Sequence, residues 1–134
     1  MQETLTVGTP KILLADSPDG RYSAFFEDDG ETGYFYALDP SLAPEMILDA
    51  LHIYNVASVA DRDRPSQVNI VWSEDGAKCA LLINDYPHAA LDFSARRGYC
   101  RTNFPNLKNP KNESWAQADH SWSDEAVSWL GQTE

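Results

Sequence analysis

Short runs of four to eight residues, rich in Tyr, Phe, Val, Ile and Leu, recur along the whole chain and are separated by turn-forming residues. That spacing is the pattern of antiparallel strands and leaves little room for long helices. It predicts strands near 3–8, 11–15, 21–28, 32–38, 46–56, 67–73, 77–84, 88–95 and 98–103. The clearest hairpin joins Tyr22-Ser23-Ala24-Phe25-Phe26-Glu27 to Thr32-Gly33-Tyr34-Phe35-Tyr36-Ala37-Leu38 through Asp28-Asp29-Gly30-Glu31. Its Asp-Gly pair tolerates the positive φ that tight turns require. Residues 46–56 suit either a helix face or a strand face, and the crowding of β-branched and aromatic residues in their second half favours strand.

Asp16-Ser17-Pro18-Asp19-Gly20 precedes the strand with Ala24-Phe25-Phe26, and Trp72-Ser73-Glu74-Asp75-Gly76 precedes the one with Ala80-Leu81-Leu82, an offset of 56 residues. The pattern resembles a repeated β-meander of blade type, although Ser-x-Asp-Gly is also a good turn that a chain can simply use twice. Two units cannot close a propeller. The expected fold is therefore mainly β, in one domain spanning 1–134, with one meander at about 11–56 and another at about 67–103, each burying the other's apolar face. Residues 57–66 read as a surface loop, and the polar stretch after Pro105 as a longer one. A short C-terminal helix is expected at 123–130, with Ser123 as N-cap, Trp122 and Val127 as a hydrophobic staple, Trp129 and Leu130 docking it, and Gly131 closing it.

With 134 residues the chain fits one cooperative domain. It has no basic, apolar leader at its start and no apolar run of membrane-spanning length, so a cytoplasmic protein with no membrane partner is expected. The formal net charge is −11, and it is lopsided: residues 1–95 carry 16 acids and 5 bases, residues 96–134 carry 5 of each. Such a field repels phosphate backbones and favours a basic protein over nucleic acid. Glu27, Asp28, Asp29 and Glu31 at one hairpin tip form the candidate acidic partner surface. Arg96, Arg97, Arg101, Lys108 and Lys111 are the one cluster where an anion could settle.

The segment from Asn84 to Arg101 is richest in residue types that do chemistry. His88 and Asp92 could form an oriented base, with the arginines holding a carboxylate or phosphate. A histidine beside a turn proline is more often structural, and no activated nucleophile sits at a recognisable spacing. Tyr86, His88, Asp92, Arg96, Arg97, Tyr99 and Arg101 are therefore retained as a candidate binding surface, with no catalytic residue assigned. The acids at 27–31 lack the alternating ligand spacing of an EF-hand. His52, His88 and His120 are too scattered for a local zinc site, so no metal and no cofactor are assigned. Trp115, Trp122 and Trp129 recur every seven residues, for which core and docking roles are the simplest account.

Residues Trp72 to Ala89, continuing through Leu91-Asp92-Phe93 and Arg96-Arg97-Gly98-Tyr99-Cys100-Arg101, together with Ile53-Tyr54-Asn55-Val56, resemble a bacterial family known only as a domain of unknown function, DUF2251. The resemblance implies a bacterial source and transfers no activity. Taken together, the residues suggest a non-enzymatic protein-interaction or ligand-binding module. The alternatives are an immunity or antitoxin-type acidic inhibitor of a basic partner, and a small enzyme with a site around His88 and Arg97.

Cys79 and Cys100 each fall inside an expected strand, in no metal-ligand spacing. In a reducing compartment they should remain free. Thiol titration of the denatured, non-reduced protein is expected to find two reactive groups; a count of zero contradicts both the free thiols and the compartment.

Overall fold

The computed structural model describes residues 2–39, 41, 47–59, 63–100, 122 and 124–132. Nine strands follow one another: β1 (Gln2–Leu5), β2 (Lys11–Asp16), β3 (Ser23–Asp28), β4 (Thr32–Leu38), β5 (Ile47–Asn55), β6 (Ser66–Trp72), β7 (Lys78–Ile83), β8 (Tyr86–Asp92) and β9 (Arg97–Cys100). A single 3₁₀ turn, Val56–Ser58, follows β5. The ambiguous segment is a strand, as its β-branched and aromatic half suggests.

The strands form two antiparallel sheets. One is the plain meander β2-β3-β4-β5; the other is the meander β6-β7-β8-β9 with β1 added beside β6. The first strand, which lies outside both meanders expected from sequence, thus belongs to the second sheet. It pairs over Gln2↔Asn69 to Leu5↔Ser66. Period-two alternation sends Leu13, Phe26, Phe35 and Leu51 inward from the first sheet. Val68, Ile70, Leu81, Leu91 and Cys100 face them from the second, in one shared apolar cluster.

At one side of the sandwich β5 approaches β9 closely. A Cβ on Gly98 would lie 2.7 Å from Leu51 Cδ2 and 2.8 Å from Asp49 Oδ2, so only glycine fits there. Beside it the Cys100 thiol donates to the His52 carbonyl at 3.1 Å. Cys79 and Cys100 sit on the two strands that flank β8, ~10 Å apart by strand spacing, too far for a disulfide. Both are buried free thiols. Burial pushes the Cys79 thiol well above its ordinary pKa, which keeps it unreactive.

The repeated turns are the same structure built twice. Ser17 N donates to the Tyr22 carbonyl and Gly20 N to the Ser17 carbonyl; Ser73 N and Gly76 N do the same with Lys78 and Ser73. Ser17 Oγ donates to Asp19, which also accepts Arg21 N, while Tyr22 N donates to Ser17 Oγ. Ser73, Asp75, Ala77 and Lys78 repeat all three bonds. Gly20 and Gly76 close the two turns at φ 74° and 72°. The turns also touch, for a Cβ on Gly76 would sit 3.2 Å from Asp19 Oδ1. The hydrogen bonds match one for one at an offset of 56 residues.

The C-terminal helix differs from expectation. It is a 3₁₀ helix, Asp124–Gln132, and it runs through Gly131 instead of stopping there. Ser128 Oγ donates to the Glu125 carbonyl and Trp129 Nε1 to the Ala126 carbonyl, each three residues back. Those carbonyls are acceptors that an α-helix would reserve for backbone N–H groups. The Trp122 indole donates to Asp124. Trp129 is buried, and the helix packs against β8, where the outward-facing Ala90 is also buried. Ser123, Trp115 and the long loop expected after Pro105 lie outside the described residues.

The tip of the β3–β4 hairpin is anchored from within. Asp28 is 1% exposed. Its Oδ1 accepts Gly30 N at 2.8 Å, and its Oδ2 accepts Gly8 N at 2.8 Å and the Tyr54 hydroxyl at 2.6 Å. Asp29 closes the turn by accepting Glu31 N and Thr32 N.

Two outcomes follow for stability. Hydrogen bonds from Ser17 and Ser73, then from backbone N–H groups, hold the exposed Asp19 and Asp75 carboxyls below their ordinary value of 3.8. Their contribution is complete above that value and is lost as pH falls through the lowered ones. Asp19→Asn combined with Asp75→Asn should flatten the acid limb of a denaturation series run against pH; an unchanged limb contradicts the assignment. Asp28→Ala should cost about 3 kcal/mol or more in chemical denaturation, because it strands three donors that each cost about 1–3 kcal/mol when buried unpaired. A cost near zero would remove the anchor.

Candidate functional site

The sequence-derived binding residues divide between the two ends of β8. Asn84 and Asp85 occupy a two-residue turn with φ 53° and 63°, the geometry of a tight hairpin. Asn84 is tied to β6, its N donating to the Gln67 carbonyl and its Oδ1 accepting Gln67 N. Tyr86 projects from this turn, and its ring meets His88 edge-on at 5.4 Å. His88 sits in a bulge, since the register passes from Leu82↔Pro87 directly to Leu81↔Ala89.

Asp92, Arg96 and Arg97 are at the far end. Asp92 accepts Ala95 N and shapes the β8–β9 turn, in which Arg96 takes a positive φ of 56°. Arg97 lies over the Tyr99 ring at 5.0 Å. Four residues of extended strand keep His88 ~13 Å from Asp92 along the chain, so the oriented base weighed from sequence does not form. The structure joins Tyr86 with His88 and Arg97 with Tyr99. Arg101, Lys108, Lys111 and His120 lie outside the described residues.

The acidic surface also changes. Asp28 faces inward and is used up by three donors, so it is removed from that surface. The hairpin connection, a tight polar turn in sequence, hides the fact that its first residue sits at an inward strand position. Asp29 and Glu31 stay exposed at the tip, and Glu27 stands half-buried on the outer face of the sheet. With Asp28 turned inward the tip presents no ring of oxygens. Among the described residues no group of three or more His, Cys, Asp or Glu is arranged to hold a metal ion, and no helix is long and apolar enough to cross a membrane.

What sequence reading missed is the outer face of the four-stranded sheet. The rows Leu14↔Phe25↔Tyr36↔Ala50 and Ile12↔Glu27↔Tyr34↔His52 lie side by side on it. Ile12, Leu14 and Ile47 are 60%, 50% and 43% exposed. The rings of Phe25 and Tyr36 stack at 5.2 Å, Tyr36 and Tyr34 at 5.8 Å, and Tyr34 leans on His52 at 5.5 Å. His52 Nε2 is fixed by Asn55 Oδ1 at 2.9 Å. The signal was present as consecutive apolar residues, Ile12-Leu13-Leu14, Phe25-Phe26 and Tyr34-Phe35-Tyr36, where a half-buried strand would alternate. Burial first, then the nearby carboxylates of Glu27 and Asp29, push the Tyr36 hydroxyl up to about 12. The face is apolar at its centre and negative in its field.

Comparison with known proteins agrees with the residues from Trp72 onward. A family model described as an uncharacterised protein conserved in bacteria, DUF2251, matches residues 5–130. A protein of Haemophilus influenzae, named only as an uncharacterised protein, is 39% identical over 132 residues, covering 98% of this chain and 80% of its own length. No solved structure matches the chain. The chain belongs to DUF2251, a family of uncharacterised proteins conserved in bacteria.

Proposed function

We propose that the protein is a non-enzymatic, cytoplasmic protein-binding module that docks a cationic partner on the outer face of the β2–β5 sheet. The observation that carries this reading is the exposed face itself. Ile12, Leu14 and Ile47 surround the Phe25–Tyr36–Tyr34–His52 ladder. Contiguous apolar surface of this kind, rimmed by polar groups, characterises interaction sites, and aromatic side chains are favoured at the centres of such sites. Carboxylates supply the sign of the partner: Glu27 stands on the face between Ile12 and Tyr34, and Asp16, Asp29 and Glu31 border it, within a chain of net charge −11. Paired with a partner that is apolar in the middle and basic around it, these charges steer the encounter and exclude nucleic acid. The buried, unbridged thiols suit a reducing compartment.

The same charge favours a second reading, an immunity or antitoxin-type inhibitor that covers a basic partner. It would use the same surface, and the partner's identity separates the two. The enzyme reading loses its support with the separation of His88 from Asp92.

A photo-crosslinking residue placed at Tyr36 and activated in the source bacterium should capture a basic protein. The association rate of that protein should fall as salt shortens the Debye length from ~8 Å at physiological strength to ~3 Å at 1 M. Ile12→Lys with Leu14→Lys, both at exposed positions, should slow association without changing the melting temperature. Capture of nucleic acid or an acidic protein, or an association rate indifferent to salt, contradicts the proposal.

A further inference from the structure

Among the described residues strand β2 is an edge of the four-stranded sheet, paired only with β3. Soluble proteins normally guard such an edge with charges, prolines, bulges or a covering segment, because its open N–H and C=O groups recruit another strand. Among the described residues β2 carries none of the usual guards. Its register against β3 runs without interruption from Lys11↔Asp28 to Asp16↔Ser23, and it contains no proline. Its two charges are at its ends and already engaged, Lys11 with Glu3 at 2.7 Å and Asp16 with the Ser23 hydroxyl at 2.7 Å. Between them stand the exposed Ile12 and Leu14.

The hydrogen-bond phase shows which groups are open. Ser17 N donates to the Tyr22 carbonyl, which marks that pair as hydrogen-bonded. Alternation along the same register makes Ala15–Ala24, Leu13–Phe26 and Lys11–Asp28 the bonded pairs. The amides and carbonyls of Ile12, Leu14 and Asp16 therefore point away from the sheet, and among the described residues no hydrogen bond reaches these amides. The residues with open backbone are the ones whose side chains face the exposed surface, so one incoming strand would engage both at once.

Building on the cationic docking reading above, we infer that β2 receives an extended segment of that partner as a fifth strand, with apolar side chains laid over Ile12 and Leu14 and basic ones meeting Asp16 and Glu27. Charge selects this occupant over a second copy of the chain, which would bring another −11 to the same edge.

An acetylated and amidated eight-residue peptide with lysine, valine, valine and lysine at alternate positions and threonine between them, so that lysines and valines share one face of the strand, is the probe, read by hydrogen exchange of individual amides. With it, the Ile12, Leu14 and Asp16 amides should exchange about tenfold more slowly or better. The same peptide N-methylated at alternate residues, and one with glutamate in place of lysine, should leave them unchanged. Ile12→Lys with Leu14→Lys should abolish the protection. Equal protection by the N-methylated peptide reduces the effect to adsorption and overturns strand addition. Binding that perturbs Phe25 and Tyr36 without protecting β2 also overturns it, while leaving the docking face in place. Equal protection by the glutamate peptide overturns the cationic partner here and in the docking reading alike. Protection without any peptide, together with a dimer in sedimentation equilibrium, assigns the edge to a second copy and overturns the inference.

Discussion

A carboxylate in the interior is costly unless donors surround it, and Asp28 has recruited three from separate parts of the chain. Gly8 comes from the connection between β1 and β2, Gly30 from the tip of the β3–β4 hairpin, and Tyr54 from β5. The shared acceptor ties these three segments together. Burial first, then the bond to Asp28, raises the Tyr54 hydroxyl far above its ordinary pKa, so the phenol stays a donor at any physiological pH. The acceptor fixes where β1 leaves for the other sheet and where β2 begins. The open edge of β2 and the face beside it rest on that placement.

The two sheets start from the same meander and end differently. Each begins with a Ser-x-Asp-Gly turn whose hydrogen bonds are superposable in kind, and the two turns rest against each other. The second sheet then gains β1 on one edge, and its outer face is covered in part by Trp129 and the C-terminal 3₁₀ helix. In the first sheet the corresponding face and the β2 edge stay open among the described residues. The two meanders therefore differ in what covers them among the described residues: the second sheet has a helix on its outer face, and the first does not.

All nine strands were legible because turns punctuate them and β-branched and aromatic residues fill them. The β3–β4 hairpin was legible from Asp29-Gly30, with Gly30 at φ 100°. Sites were much less so. Asp28 looked like one more tip carboxylate, because its burial depends on Tyr54, 26 residues away, and no local pattern encodes that approach. His88 and Asp92 are near in sequence but separated by the length of the strand that carries them. The outer face of the first sheet was hidden for a different reason. Runs such as Ile12-Leu13-Leu14 are apolar on both sides of the strand, and sequence alone does not say which side the core takes. The helix type was lost to two side-chain bonds that claim backbone carbonyls, a contest that propensity does not record.

The transfer of β1 to the second sheet has a consequence in time. Leu5 finds its partner at Ser66, so the pairing closes across 61 residues. Long-range closures of this kind slow folding, since the loop must be ordered before the contact rewards it. During synthesis at ~5–20 residues per second, β6 appears several seconds after β1, while the four strands between them can already pair with their sequence neighbours. For that interval the new chain shows an unpartnered first strand and a finished meander.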